Sequence, residues 1–128
     1  NVLKILEFNY ISKQNLLLPV IEENNSMNFF QWKKNEVLKV NKYGMLEPVR
    51  SKKNVPNIML VPLLSFDMNK YRLGYGMGFY DRYLIKYLKK FKNILTVGVA
   101  FSFQKHHKLP INNMDVKLNY ILTEKGIY

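Results

Sequence analysis

Apolar residues gather in short runs that are separated by polar segments rich in Asn, Lys and Gly. Runs of this kind, bounded by turn residues, are typical of strands, and Asn57–Val61 and Ile94–Phe101 are the best candidates for buried ones. The turn-like Asn24-Asn25-Ser26 lies between the runs Leu16–Ile21 and Met27–Trp32, so these two runs are expected to pair as a hairpin. The predicted strands are Leu16–Ile21, Met27–Trp32, Asn57–Val61, Ile94–Phe101 and Tyr120–Leu122.

A different spacing follows the glycines in the second half of the chain. Apolar residues recur there at steps of three and four, while lysines occupy the other face near the end of the segment. This periodicity predicts an amphipathic helix from Gly78 or Phe79 to Phe91. The apolar positions are Tyr80, Tyr83, Leu84, Tyr87, Leu88 and Phe91. A similar pattern at Val2–Tyr10 suits the end of another helix, although no capping residue precedes it.

The remaining segments are predicted to be connections. Val37–Pro48 is expected to be irregular, Ser65–Tyr71 to be a polar loop, and Ser102–Pro110 to be a second loop. The order strand, glycine loop, helix, strand constitutes a βαβ unit, which implies a parallel sheet with helices packed on it. Ligands bind such sheets at the carboxyl ends of the strands. The pattern therefore predicts an α/β protein with its site near the glycine loop.

Length and composition narrow the class of protein. The chain has 128 residues, 48% of them hydrophobic, which suits a single domain over 1–128 with a substantial core. There is no cysteine, which excludes disulfides, thiolate nucleophiles and cysteine-ligated metal centres. No apolar run is long enough for a membrane span, and no charged-then-apolar leader opens the chain. We expect a soluble cytoplasmic protein without a membrane partner.

The formal net charge of +11 raises the question of an anionic partner. Nucleic acid is the obvious candidate, but proteins that bind it usually make bidentate contacts through Arg, and only Arg50, Arg72 and Arg82 are present here. The abundance of Lys, Asn, Ile and Tyr is the drift expected from biased codon usage. We therefore predict no nucleic-acid partner, whereas the positive field still favours an anionic small substrate.

The segment Arg72–Asp81 holds the strongest chemical signal, because it carries three alternating glycines between a predicted strand and a predicted helix. Glycines allow close approach of the backbone to a ligand, and a helix N-terminus favours phosphate. Arg72 could add charge-assisted hydrogen bonds to phosphate. Asp81, in the first helical turn, could hold a metal ion or could interact with the helix dipole.

The spacing of these glycines matches neither of the two commonest phosphate motifs. It lacks the third glycine of G-x-G-x-x-G, and no Gly-Lys-Ser/Thr follows. On residue chemistry alone, a tight turn and a phosphate-binding loop therefore both remain open.

Arg72–Asp81 resembles the signature of the 5-formyltetrahydrofolate cyclo-ligase family, also called methenyltetrahydrofolate synthetase. In that family Arg-Leu-Gly-x-Gly-x-Gly-aromatic-Tyr-Asp follows a strand and a Phe-Asp loop, to which Val61–Asp67 is similar. The resemblance continues in family order over nearly the whole chain. Its other segments are Gly44–Pro48, Gly98–Phe101 with Gln104, Leu109-Pro110, Asp115-Val116 and Ile121–Glu124.

The resemblance implies a three-layer α/β/α fold around a mostly parallel sheet. It also implies cyclisation of 5-formyltetrahydrofolate to 5,10-methenyltetrahydrofolate, with ATP converted to ADP and phosphate through a phosphorylated formyl intermediate. Mg²⁺ and ATP would be the cofactors, and the protein is expected to be a monomer. Positioning and charge stabilisation should carry most of the catalysis.

The resemblance also assigns roles by position. Arg72 and Tyr80 match catalytic positions, and Asp81 and Asp115 match the magnesium-binding carboxylates. The ATP-binding loop comprises Arg72, Leu73, Gly74, Tyr75, Gly76, Met77, Gly78, Phe79 and Tyr80. Within it, Tyr75, Gly76, Met77, Gly78 and Phe79 match positions that also line the folate side.

Some of these residues have simpler interpretations. Asp115 on its own would be a solvated loop acid, and Phe79 or Tyr80 could belong to the helix core. His106 and His107 are adjacent and so point in different directions, which favours solvated loop histidines over a metal pair.

The chain departs from the family pattern at two points. Position 77 is Met, where the family usually carries Gly or Lys. Family members also begin with a helix bearing a Lys-x-x-x-Arg clamp, and have a folate-contacting Glu just before the segment matched by Asn1–Leu6. The chain is therefore expected to lack that N-terminal segment. The alternative function is that of a truncated nucleotide-binding pseudoenzyme without turnover.

Overall fold

The computed structural model describes residues 15–91 and 93–128, so the helix predicted at Val2–Tyr10 lies outside the described residues. The chain divides into two compact units. The described part of the first unit comprises residues 15–21 and 28–55. The second unit comprises residues 22–27 and 56–128. The expectation of one domain over 1–128 stays a prediction.

Short strands build the first unit. Strands β1 (Leu17–Ile21) and β2 (Met27–Gln31) are hydrogen-bonded neighbours, which confirms the predicted pairing. They are followed by β3 (Leu38–Val40), β4 (Leu46–Pro48) and β5 (Lys53–Asn54), of which β5 pairs antiparallel with β2.

The prediction that Val37–Pro48 is irregular is wrong, because β3 and β4 form an antiparallel hairpin. Asn41 closes the turn: its side-chain oxygen accepts the N–H groups of Tyr43 and Met45, at 2.9 and 3.0 Å. Gly44 supplies the left-handed residue of the turn, with φ of 75°. Paired backbone and turn chemistry thus make strands from residues that have little apolar periodicity.

The second unit contains a four-stranded, mostly parallel sheet in the order β12-β11-β9-β6. Strand β6 (Ile58–Pro62) leads through β7 (Ser65–Asp67) and β8 (Arg72–Leu73) to helix α1 (Phe79–Leu88) and then to β9 (Leu95–Val99). After β10 (Lys105–His106), β11 (Tyr120–Thr123) and β12 (Gly126–Ile127) complete the sheet. The pairs β6–β9 and β9–β11 are parallel, and β11–β12 is antiparallel. The predicted βαβ unit is therefore confirmed.

Strands β6, β9 and β11 of this sheet each have one buried face. In β6, Met59 and Val61 are buried, whereas Ile58 and Leu60 are 60% and 43% exposed. The prediction that this strand is buried on both sides is therefore wrong for the described residues, and the strand alternates between two faces as strands do. The register places Met59 with Thr96, and Val61 with Gly98 and Ile121, on the buried face.

Helix α1 is shorter than its apolar periodicity predicts. It buries Tyr83 and Leu84 and ends at Leu88, whereas the prediction extended it to Phe91. The N–H groups of Lys90 and Phe91 both donate to the carbonyl of Tyr87, which closes the last turn. Phe91 is 47% exposed, so the core does not hold this residue in the helix.

Two further loop predictions are wrong. Ser65–Tyr71 begins with strand β7, and Ser102–Pro110 contains a 3₁₀ turn at Ser102–Gln104 followed by β10. Strand β7 lies between β10, to which it is parallel, and β8, to which it is antiparallel. These strands have only two or three residues each, and they form because distant segments supply hydrogen-bonding partners.

The architecture is α/β with mixed sheets. Residues 15–91 and 93–128 contain one α-helix, so a three-layer arrangement is not confirmed for them. Within the same residues, no helix has the length and apolar character needed to cross a membrane.

Candidate functional site

The glycine loop lies beside the carboxyl end of β6. Strands β7 and β8 form a hairpin in which Ser65 pairs with Leu73 and Phe66 pairs with Arg72. The N–H of Leu64 donates to the carbonyl of Leu73 at 2.8 Å, which brings the chain back to the end of β6. The loop therefore begins at the edge of the sheet where α/β proteins bind their ligands.

Three glycines shape the loop between β8 and α1. Gly76 and Gly78 have φ angles of 88° and 62°, and Gly78 is the residue that caps the start of α1. A Cβ atom built on Gly74 would lie 3.1 Å from Nη1 of Arg72, so the loop backbone runs close to this guanidinium. The first N–H groups of a helix have no acceptor within the helix, which makes this turn suited to an anion.

Arg72 and Asp81 form an ion pair beneath the loop. Nη2 of Arg72 lies 3.0 Å from Oδ2 of Asp81, and the two side chains are only 5% and 14% exposed. The other carboxylate oxygen, Oδ1, accepts the N–H of Val116 at 3.1 Å. Nε of Arg72 is buried and has no hydrogen-bond partner among the described residues. The pair brings the first and last residues of the predicted motif into direct contact.

Tyr80 packs next to this pair. The guanidinium carbon of Arg72 lies 5.9 Å from the centre of the Tyr80 ring. Burial raises the pKa of Tyr80 to about 12, although the positive charge of Arg72 acts in the opposite direction. The phenol is therefore neutral at physiological pH and can donate a hydrogen bond, but it cannot act as a base there.

The rest of the loop faces solvent. Tyr75 is 71% exposed, and Met77 is also exposed. Arg82 supports this part of the loop, because its Nη1 donates to the carbonyl of Met77 at 2.7 Å and its guanidinium lies 5.2 Å from the ring centre of Phe79. Of the side chains that the family resemblance assigns to the folate side, Tyr75 and Met77 are therefore exposed, whereas Phe79 lies against Arg82.

Asp115 lies in a tight turn whose next residue contacts Asp81. Its Oδ2 accepts the N–H of Asn112 at 2.7 Å, and its own N–H donates to the carbonyl of Asn112 at 3.1 Å. Val116, which follows it, donates to Asp81. The two predicted magnesium ligands are thus connected through one backbone hydrogen bond.

No group of three or more His, Cys, Asp or Glu side chains that could hold a metal ion occurs in residues 15–91 and 93–128. Two carboxylates suit Mg²⁺ better than most other ions, because Mg²⁺ keeps several waters and is often bound by one or two carboxylates together with phosphates. His106 lies in β10, and both it and His107 are exposed.

Asp67 and Gln104, for which the sequence predicts no role, hold the segments around the site. Asp67 is buried and accepts the N–H groups of Asn69 and Tyr71 through Oδ1, and that of Leu109 through Oδ2. An Asp side chain can accept the backbone N–H two residues further on, so an Asp within a predicted polar loop is a signal of a side-chain-capped turn and could have indicated this role.

Gln104 connects the loop after β9 to the end of β6. Its Nε2 donates to the carbonyl of Leu64 at 2.9 Å, and its Oε1 accepts the N–H of Phe101 at 2.7 Å. The hydroxyl of Ser65 donates to the Gln104 carbonyl at 2.8 Å. No periodicity marks a residue of this kind, since its contacts span 40 residues of sequence.

A mostly parallel sheet with a glycine loop at the start of α1 defines an α/β protein with a strand–loop–helix site. The chain belongs to the 5-formyltetrahydrofolate cyclo-ligase family, whose sequence profile matches residues 2–124.

Relatives from several organisms support this assignment. The 5-formyltetrahydrofolate cyclo-ligase of Haemophilus influenzae is 32% identical over 120 residues, which cover 88% of this chain and 63% of the relative. The Mycoplasma pneumoniae protein of the same name is 39% identical over 72 residues, which cover 56% of this chain and 42% of the relative.

The fold is also that of solved family structures. The NMR structure of Aquifex aeolicus 5,10-methenyltetrahydrofolate synthetase superposes with a TM-score of 0.74 at 31% identity, and the match covers 98% of this chain and 61% of that one. A 5,10-methenyltetrahydrofolate synthetase from Mycoplasma pneumoniae matches in fold, with a TM-score of 0.59 at 24% identity. This second match covers 93% of this chain and 60% of that one. The chain therefore spans about three-fifths of the length of these two solved proteins and of the Haemophilus influenzae relative.

Proposed function

We propose that the protein acts in the ATP-dependent cyclisation of 5-formyltetrahydrofolate to 5,10-methenyltetrahydrofolate. The observation that carries this proposal is the buried Arg72–Asp81 ion pair under the glycine loop, in a chain that belongs to the cyclo-ligase family. A buried charge is costly unless it is paired. Buried charged groups with a specific charge partner are concentrated at functional sites. ATP, when bound, supplies the phosphoryl group that converts the formyl oxygen into a leaving group.

The loop from Arg72 to Tyr80 would hold the phosphates of ATP. Its positive-φ glycines keep side chains away from the backbone, and the start of α1 directs N–H groups toward an anion. Nε of Arg72, which has no acceptor within residues 15–91 and 93–128, is a donor that a phosphate oxygen would satisfy. These features fit a polyphosphate better than they fit a simple tight turn.

Asp81 and Asp115 would hold magnesium. Both residues are only partly exposed. Val116, the residue after Asp115, donates its N–H to Asp81, which keeps the two aspartates in neighbouring segments. Two carboxylates leave most of the coordination sphere to water and phosphate oxygens, which is the arrangement Mg²⁺ prefers. One oxygen of Asp81 also pairs with Arg72, so a metal ion held by this residue would lie close to the guanidinium.

Roles in the reaction follow from charge and burial. Arg72 would neutralise charge that develops on the transferring phosphoryl group, and neutral Tyr80 would donate a hydrogen bond beside it. The folate would lie along Tyr75–Phe79, where the exposed ring of Tyr75 can stack on an aromatic substrate. Little covalent chemistry is required of the protein itself.

We also infer that the α/β architecture has three layers, with helices on both faces of the sheet. The outer face of the four-stranded sheet carries apolar side chains that are exposed or half-buried in the described residues. They are Ile58, Leu60, Leu95, Val97, Tyr120 and Leu122. A central parallel sheet is normally covered on both faces by helices, and an apolar outer face supports that arrangement.

Formation of 5,10-methenyltetrahydrofolate, followed by its absorbance, tests the proposed function. Product should form only when 5-formyltetrahydrofolate, ATP and magnesium are all present. A protein that binds Mg-ATP but forms no product would favour nucleotide binding without turnover. A protein that neither binds Mg-ATP nor forms product would contradict the proposal.

A further inference from the structure

Asp81 is the predicted metal ligand that already has a cation beside it. Its Oδ2 pairs with Arg72 at 3.0 Å, and its Oδ1 accepts the N–H of Val116 at 3.1 Å. A metal ion that binds this carboxylate would therefore lie close to one or both of these partners. The guanidinium is the partner that repels an incoming cation, whereas the backbone N–H belongs to the turn after Asp115. Arg72 is therefore the contact that a bound metal ion would weaken.

The surroundings of Arg72 suit a side chain with a second position. Nη1 lies against the backbone of Gly74, Nη2 lies on Asp81, and Nε is buried without an acceptor among the described residues. A buried donor without an acceptor is unfavourable, so this arrangement leaves a hydrogen bond that an incoming oxygen atom can supply. The glycine loop, which would hold the phosphates, is directly next to the guanidinium.

We propose that Arg72 serves as the counter-ion of Asp81 when no metal is bound, and that metal binding transfers its guanidinium from Asp81 to a nucleotide phosphate. Magnesium and nucleotide then bind cooperatively, because each stabilises the arrangement that the other requires. This inference rests on the proposed function, in which the glycine loop holds Mg-ATP. It adds that the ion pair couples the two ligands.

Charge balance is the reason for the coupling. Metal without nucleotide would leave the guanidinium buried and unpaired, which is strongly unfavourable. Nucleotide without metal would meet a guanidinium that Asp81 already neutralises, and would place phosphate near an unpaired carboxylate if Arg72 moved. Only the two ligands together leave every buried charge with a partner.

Metal binding without nucleotide tests this proposal from one side. Free Mn²⁺ is measured by electron paramagnetic resonance in titrations of the wild-type protein, Arg72→Met and Lys86→Met. Removal of Arg72 frees the carboxylate, so Arg72→Met should bind Mn²⁺ about tenfold more tightly than the wild type. Lys86→Met removes one exposed positive charge from the same helix, and should stay within about twofold. Unchanged or weaker Mn²⁺ binding by Arg72→Met would overturn the proposal.

Nucleotide binding without metal tests it from the other side. A fluorescent ATP analogue is titrated in EDTA into the wild type and into Asp81→Asn, which removes the charge that holds Arg72. The variant should bind the metal-free nucleotide about fivefold more tightly, and added magnesium should no longer improve its affinity. Equal affinity of the two proteins in EDTA would contradict the transfer of the guanidinium.

A second variant keeps the result interpretable. If circular dichroism shows that Arg72→Met is unfolded, Arg72→Gln replaces it, because glutamine removes the positive charge but keeps polar groups in the buried site. Arg72→Gln should then also bind Mn²⁺ more tightly than the wild type and reduce the cooperativity between metal and nucleotide. A wild-type protein that binds both ligands independently would overturn only this inference, whereas one that binds no Mg-ATP would overturn the proposed function as well.

Discussion

The carboxylate of Asp67 and the backbone N–H of Leu109 are 3.2 Å apart, although 42 residues separate them in the sequence. The other oxygen of the same carboxylate accepts the N–H groups of Asn69 and Tyr71, at 2.9 and 3.1 Å. One buried side chain therefore fixes the turn that leads into β8 and the loop that follows β10. The turn leads through β8 into the glycine loop, and the loop after β10 continues to Val116, which contacts Asp81. Asp67 therefore supports the candidate site without belonging to it.

Replacement of Asp67 by Asn should destabilise the protein by about 2–4 kcal/mol. The amide keeps one acceptor oxygen but turns an NH₂ group toward a backbone donor, which leaves buried N–H groups unsatisfied. Urea denaturation followed by circular dichroism measures the change. Glu23→Gln, at an exposed position, is the matched control and should stay within about 0.5 kcal/mol. An equal stability of the two variants would show that the Asp67 contacts are unimportant.

Gly98→Ala should cost about 1–3 kcal/mol, because the buried face of the sheet has no room for a methyl group. A Cβ atom built on Gly98 would lie 2.7 Å from Cδ1 of Ile121 and 2.8 Å from Cδ2 of Leu63. Ile121→Val removes the nearest of these atoms, so the double variant should be less destabilised than the sum of the two single ones. Additive effects in denaturant titrations would argue against this contact.

Gly76→Ala should weaken Mg-ATP binding by at least about tenfold, whereas Gly44→Ala should leave it unchanged. Both glycines have positive φ, at 88° and 75°, and a Cβ atom on either would meet nothing within 4 Å. The two substitutions should therefore cost a similar amount of stability, about 1 kcal/mol, through backbone strain alone. Only Gly76 belongs to the glycine loop. An equal effect of both variants on nucleotide affinity would show that the loop backbone does not approach the ligand.

The burial of Tyr80 determines how its contribution to stability changes at alkaline pH. Burial raises the pKa of folded-state Tyr80 from the ordinary value of 10.0 to about 12, so its contribution to stability is complete below pH 10 and is lost as the pH rises toward 12. Urea midpoints measured at about pH 8 and about pH 11 should therefore fall less in Tyr80→Phe than in the wild type. Tyr75→Phe, in which the replaced ring is 71% exposed, should behave like the wild type. A wild-type-like fall in Tyr80→Phe would contradict the burial of its hydroxyl.

Apolar patterns predicted the central elements of the second unit, but not its small sheet. Met59 and Val61 in β6, and Tyr83 and Leu84 in α1, are buried as their runs and spacings indicate. Strand β7 was predicted to be a loop because Ser65–Asp67 carries little apolar signal. It is a strand because β8 and the distant β10 provide its hydrogen-bonding partners.

The sequence predicted the residues of the site but not their relation to each other. Resemblance to the family identified Arg72, Tyr80, Asp81 and Asp115 as a group, and their roles stay predictions. The ion pair between Arg72 and Asp81 could not be predicted, because it depends on how β8 and α1 meet across the glycine loop. Helix periodicity also failed at Phe91, where tertiary packing rather than spacing decides the end of α1.

The central claim is that the glycine loop and the two aspartates hold Mg-ATP, and calorimetric titration tests it most directly. ATP titrated into the wild-type protein in the presence of magnesium should give a one-site isotherm, which Asp81→Asn weakens by reducing the contribution of the metal. A wild-type titration that shows no heat of binding would contradict the account. So would an isotherm that Asp81→Asn and Gly76→Ala leave unchanged.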